Sequence, residues 1–223
     1  MIDFEPFYIS AKLSLITTLL LFVIAFPVAY YLAHTKSRLK PVLEAVTALP
    51  IVLPPTVIGF YLLVALSENS PLGRFFADVF DLKLVFSFEG LVVASCFYSF
   101  PFMVQPLQAG LESMNRAIVE ASYTLGKTWW QTLLFVILPN IKPAILTATI
   151  ITFAHTMGEF GVVLMVGGAI PGMTKVASVA IYDHVEMMDY MTAHVYSAIL
   201  VAVSFLVLLS VYVLNRKSAK VLK

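Results

Sequence analysis

Charge is scarce in this chain. Only 12% of its 223 residues are charged, about half the share of a soluble domain. With 14 Lys and Arg against 13 Asp and Glu, the formal net charge is +1, and no basic patch stands out. That argues against nucleic acid as a partner, because phosphate binding needs concentrated cations. There is one cysteine, Cys96, so no intrachain disulfide can form. It sits in an apolar stretch without a neighbouring His or Asp and reads as a packing thiol rather than a metal ligand or nucleophile. The four histidines include no pair at metal-ligand spacing, and there is no nucleophile elbow. The expectation is therefore no enzyme, no metal and no cofactor. A basic start is missing as well: Asp3 and Glu5 precede Lys12, the first cation, so the first apolar run is expected to stay in the mature protein rather than be cleaved as a signal peptide.

What the chain has in abundance is apolar side chains, 60% of the total. A bilayer core of about 30 Å takes roughly 20 apolar residues as helix. Five runs of that kind lie between charge clusters, at about 8–33, 43–66, 90–111, 141–166 and 193–214. They predict an all-α membrane protein with five spans in one domain, 1–223. Cations fall mainly on one face: Lys36, Arg38 and Lys40 after the first span, Arg116, Lys127 and Lys142 after the third, and Arg216, Lys217, Lys220 and Lys223 after the fifth. The other face has Lys12, Arg74, Lys83 and Lys175 with most of the acids. Since short cytoplasmic loops are enriched in Lys and Arg, the N-terminus is expected outside and the C-terminus inside. The outer loops, 67–89 and 166–192, have turn residues that can face a soluble partner. The inner stretch, 112–140, reads as helix, a break at Gly126, a second helix and a stop at Pro139.

Several residues in this pattern are candidates for function. Gly126-Lys127-Thr128 imitates the end of a phosphate-binding loop, but Ala121 stands where the motif needs its first glycine and no apolar strand precedes it. ATP binding by this chain is therefore not expected. His155 and Glu159 are four apart and share a helix face; intramembrane ionisable groups are costly and usually functional. Two readings stand: Glu159 lies near the outer interface, where Gly158 and Gly161 let the helix end, or the pair lines an ion path. Pro27, Pro50, Pro54, Pro55, Pro101 and Pro106 interrupt three successive spans, either as structural kinks or as the broken helices of a pathway that opens and closes. Pro54, Pro55 and Thr56, with Tyr98, Gln105 and Glu159, are the candidate pathway or gate residues. Tyr98, Ser99 and Gln105 are equally compatible with helix-to-helix contacts.

The stretch Glu120-Ala121-Ser122-Tyr123-Thr124-Leu125-Gly126, followed nine residues later by Val136-Ile137-Leu138-Pro139, resembles the EAA loop of ABC importer permeases. That pattern is E-A-A, three residues, Gly, nine residues and I-x-L-P; Ser122 and Val136 are the departures. The resemblance implies a type I importer fold whose coupling helix seats in a cleft of a cytoplasmic ATPase subunit. Glu120, Ala121, Ser122, Gly126, Trp129, Trp130, Leu138 and Pro139 are the residues it places there. Small Ala121 permits close approach, Gly126 permits the break, and the Trp pair suits either a protein interface or the membrane interface. Residues 49–59 (LPIVLPPTVIG) and Gly158-Glu159-Phe160-Gly161, leading to 167–174 (GGAIPGMT), are similar to molybdate permeases, and sulfate permeases share much of the second stretch.

The resemblance implies a multi-pass subunit in the inner membrane of a prokaryote. It implies two copies of this chain, two ATPase subunits and a periplasmic oxyanion-binding protein. Molybdate is the expected cargo, with tungstate or sulfate as alternatives. A secondary anion carrier or channel is the rival class. Such carriers show inverted repeats and midplane charges as well as broken helices, and here only the broken helices are visible.

Overall fold

The computed structural model describes residues 2–221, and among them every regular element is helical. Three helices are long and apolar enough to cross a membrane: α1 (Glu5–His34), α5 (Phe88–Glu112) and α12 (Tyr190–Val221), the last through its part Tyr190–Ser210. They coincide with the first, third and fifth expected runs. Helix α1 buries Leu13, Leu21, Ala25, Ala29 and Leu32 on one side and leaves Leu19, Val23, Ile24 and Tyr31 exposed on the other. That is the division expected between a helix-packed face and a lipid-facing one. Pro27, Pro101 and Pro106 lie inside α1 and α5 without ending them.

The other two runs are broken. The run at 43–66 divides into α2 (Lys40–Val52) and α3 (Pro55–Leu66), which meet at 107°. The cause is local: a residue before proline is pushed out of the helical region. Leu53 and Pro54, each preceding a proline, both take extended ψ, 139° and 137°. Pro50, by contrast, remains inside α2. The run at 141–166 does not form a single helix either. Helix α9 (Lys142–Met157) ends at Gly158, and the chain resumes as α10 (Gly161–Gly167). Before α9 the chain turns by 74° from the segment Trp129–Asn140. By length and composition, the described residues thus contain three single-helix spans, or up to five when each bent pair counts as one.

The remaining short elements gather at the two ends. At one end lie α4 (Pro71–Phe80) and α11 (Ala177–Glu186); Ser70 and Ser87 cap α4 and α5 there, and Asp3 meets Tyr196. Asp189 precedes α12, and hydrogen bonds from Thr192 hold its carboxyl below the usual carboxylate range. At the opposite end lie α6 (Arg116–Thr124), α7 (Trp129–Thr132), a π-turn (Leu133–Ile137) and α8 (Leu138–Asn140). The two faces inferred from charge thus occupy separate ends of the fold. Of the tail cations, Arg216, Lys217 and Lys220 fall on α12, and Lys223 lies outside the described residues.

Three apolar clusters hold the helices together. One joins α1, α5 and α9 to the α6–α8 end, the second joins α1, α5, α10 and α11, and the third joins α3, α5 and α10. Between α5 and α9 the helices approach so closely that a Cβ on Gly110 would sit 2.3 Å from Ala144 Cβ. Small residues that permit such contact drive helix association in lipid.

Candidate functional site

The α6–α8 end presents the helix, break and helix that the sequence predicts. Asn115 caps α6 by accepting from Ala117 N at 3.0 Å. The helix then closes in a Schellman motif: Gly126 N donates to Tyr123 O at 2.9 Å and Lys127 N to Ser122 O at 3.2 Å. Gly126 has φ +77° with nothing within 4 Å of a would-be Cβ, so backbone conformation alone demands glycine here. Thr128 and Gln131 form a reciprocal capping box that starts α7.

The residues of this loop divide by exposure. Ser122 is buried, and its hydroxyl meets Thr132 Oγ1 at 2.9 Å, joining α6 to α7. Ala121 is exposed and shares a shallow apolar groove of about 460 Å³ with Ala117, Ile118, Leu125 and Val136. Leu125 is 81% exposed at its tip, a costly position for leucine in water. Glu120 borders a second, polar cleft of about 500 Å³ with Tyr30, Lys40, Glu112 and Arg116. Trp129 and Trp130 pack edge to face at 4.5 Å, and Trp129 also meets the Tyr30 ring. Leu138 packs on the core while Pro139 is exposed. Ile118, Leu125 and Thr132 escaped the sequence reading. Ile118 and Leu125 carry a signal only once α6 is known to be surface-bound.

The second candidate lies where the broken helices meet. A cavity of about 550 Å³ is lined by Pro55, Thr56, Tyr98, His155, Glu159 and Phe160, among others. Three elements bring these residues together: the start of α3 after its proline break, the middle of α5, and the gap between α9 and α10. Their approach is close, since a Cβ on Gly161 would lie 2.8 Å from Pro55 Cβ. Pro54 caps α3 next to the cavity. Gln105 is exposed on α5 and does not line it, although seven residues from Tyr98 it shares that face of the helix.

His155 and Glu159 do not pair. His155 Nδ1 meets Ser99 Oγ at 3.0 Å, and its ring stacks on Phe102 at 3.9 Å. Glu159 follows the helix end at Gly158, yet its side chain does not reach solvent. It is 4% exposed, and its carboxyl faces the buried Ser95 hydroxyl of α5 without a well-aligned hydrogen bond. Its main-chain carbonyl accepts from Ser178 Oγ, fixing the gap against α11. No Lys or Arg lines the cavity, and the described residues contain no group of His, Cys, Asp and Glu able to hold a metal ion.

The structure is thus an all-α fold with an exposed helix–turn–helix at one end and broken helices around a cavity, the architecture of a membrane transport subunit. Residues 25–220 match the family of binding-protein-dependent transport system inner membrane components. The chain belongs to that family and is a permease subunit of an ABC transporter, an inner-membrane, multi-pass transport component. It is 47% identical over 217 residues to the molybdenum transport system permease protein ModB of Azotobacter vinelandii, covering 97% of this chain and 96% of that one. The sulfate transport system permease protein CysT of Escherichia coli is 33% identical over 85% of this chain and 68% of its own length. Among solved structures, an inward-facing MetNI methionine ABC transporter superposes with a TM-score of 0.73 at 17% identity, covering 96% of this chain and 94% of that chain. A bacterial alginate ABC transporter in complex with an alginate-bound periplasmic protein gives 0.73 at 18% identity, covering 96% and 78%.

Proposed function

We propose that this chain is the permease through which molybdate enters the cell, driven by ATP that a separate cytoplasmic subunit hydrolyses. The observation that carries the cargo is the 47% identity to a molybdenum permease along nearly the full length of both chains. The chemistry of the cavity agrees with a divalent oxyanion. Thr56 and Tyr98 offer uncharged hydroxyl groups, no fixed cation is present, and the Glu159 carboxyl oxygens are buried rather than open to the cavity, so a passing anion is solvated without being trapped. Conduction requires sites weak enough to leave. Selectivity then rests mainly with the periplasmic binding protein that delivers the anion.

In this reading α6 and its Schellman turn are the coupling element. Ala121, Ile118 and Leu125 form the apolar contact, Glu120 and Gly126 shape its borders, and Ser122 locks α6 onto α7 from behind. Trp129 and Leu138 seat this element against the spans, while the exposed Trp130 and Pro139 lie on its outer surface. Two copies of the chain enclose the pathway, with Pro54, Pro55, Thr56, Tyr98, Gln105 and Glu159 facing it. Two ATPase subunits sit beneath the α6 end, which faces the cytoplasm together with the C-terminus; the N-terminus is outside. Closure of the ATPases draws the α6 helices together and opens the cavity outward, and hydrolysis reverses the movement.

The cargo is tested by uptake of labelled molybdate into vesicles containing the whole transporter, with excess sulfate or tungstate as competitor. Uptake that resists sulfate and yields to tungstate is expected, since tungstate matches molybdate in size and charge. Uptake abolished by equimolar sulfate would reassign the cargo.

A further inference from the structure

Four polar side chains tie the start of α2 to the end of α5. Lys40 Nζ donates to Glu112 Oε1 at 2.8 Å and lies 3.7 Å from Glu44 Oε1. Gln108 Nε2 donates to Glu44 Oε1 at 2.6 Å and to Glu112 Oε1 at 3.0 Å. One ammonium and one amide thus hold two carboxylates, one from each helix. Among the described residues, no other side-chain hydrogen bond or ion pair joins α2 to another helix. Apolar anchoring is also thin: Pro50 is the one buried residue in α2, while Val42, Val46 and Val52 are exposed.

The position of this cluster gives it a consequence. Helix α5 runs through Ser113–Asn115 directly into α6, so Glu112 moves with the coupling end. Helix α2 runs through the break at Leu53 and Pro54 into α3, whose Pro55 and Thr56 line the cavity. The groups are partly exposed, and exposed ion pairs contribute little to stability. They suit contacts that are remade in each cycle better than contacts that hold a fold.

We propose that Lys40, Glu44, Gln108 and Glu112 form a clamp that carries movement of α6 into α2 and α3, making Lys40 and Gln108 positioning residues for transport. The inference rests on the assignment of α6 as the coupling element.

The test uses the complete transporter in proteoliposomes, reading ATP hydrolysis and labelled molybdate uptake on the same preparation. Lys40→Met and Gln108→Leu are expected to keep hydrolysing ATP while uptake per ATP falls by roughly fivefold or more, the lower range of coupling between separated sites. The exchange Lys40→Glu with Glu112→Lys keeps one cation among two acids at the same junction and should restore most of the ratio. Where a single variant fails to assemble, Glu112→Gln is read instead, because it preserves shape while weakening the links to both Lys40 and Gln108. A wild-type ratio in the single variants, or an exchange no better than Lys40→Met, would overturn the clamp. Absence of ATP-dependent uptake in the wild type would instead overturn the reading on which it rests.

Discussion

Substitution of Gly126 isolates the backbone contribution to the coupling turn. The residue sits at φ +77°, and a Cβ there meets nothing within 4 Å, so a larger side chain adds conformational strain without a collision. An L-residue with a Cβ in the left-handed region loses about 1–2 kcal/mol. Because no neighbour packs on the Gly126 Cβ position, Gly126→Ala relaxes away from this conformation, and docking must restore it. The ATPase subunit should then bind roughly five- to thirtyfold more weakly. Gly126→Val should be worse, since a β-branched residue at positive φ is a true outlier. Gly126→Asn should be the mildest, because asparagine tolerates the left-handed region. The assay is ATPase affinity for the permease in nanodiscs, with membrane insertion checked separately. The order Asn, Ala, Val is expected. An Asn variant as weak as Val, or a Val variant with unchanged affinity, would refute the assignment of this turn.

Other predictions follow from individual contacts. Ser122→Ala leaves the Thr132 hydroxyl without its 2.9 Å partner and should cost about 1–2 kcal/mol; adding Thr132→Val should recover part of it in thermal unfolding. Gly110→Val drives side-chain atoms into Ala144 and should lower the melting temperature, consistent with overpacking costs of about 1–3 kcal/mol. Glu159→Gln keeps the volume of a buried side chain and an oxygen to face the Ser95 hydroxyl, and should leave uptake largely intact. Total loss of uptake in a correctly assembled transporter would show that the charge itself is required.

The legible parts of the fold were those governed by local chemistry. Long apolar runs marked α1, α5 and α12, and Gly126 marked the turn after α6. The 107° bend between α2 and α3 was less legible, because proline is often accommodated within a membrane helix, as Pro27, Pro50, Pro101 and Pro106 are here. What distinguishes Pro54 and Pro55 is their adjacency, which forces two consecutive residues to extended ψ. At the site, Thr56, Tyr98 and Glu159 could be named from residue type, but their meeting in one cavity depends on α10 folding back beside α3. The pairing of Ser122 with Thr132 was hidden for a similar reason: it spans a turn whose exact geometry, rather than its presence, sets the contact. Gln105 shows the converse, a polar residue on the expected face that the cavity itself does not include.

The central claim is that this chain conducts an oxyanion only when a partner hydrolyses ATP. The most direct measurement is uptake of labelled molybdate into proteoliposomes that contain this chain with its ATPase and binding protein, with and without enclosed ATP. Uptake that requires both ATP and the binding protein is the predicted result. Equal uptake without ATP would contradict the account and identify the chain as a carrier or channel.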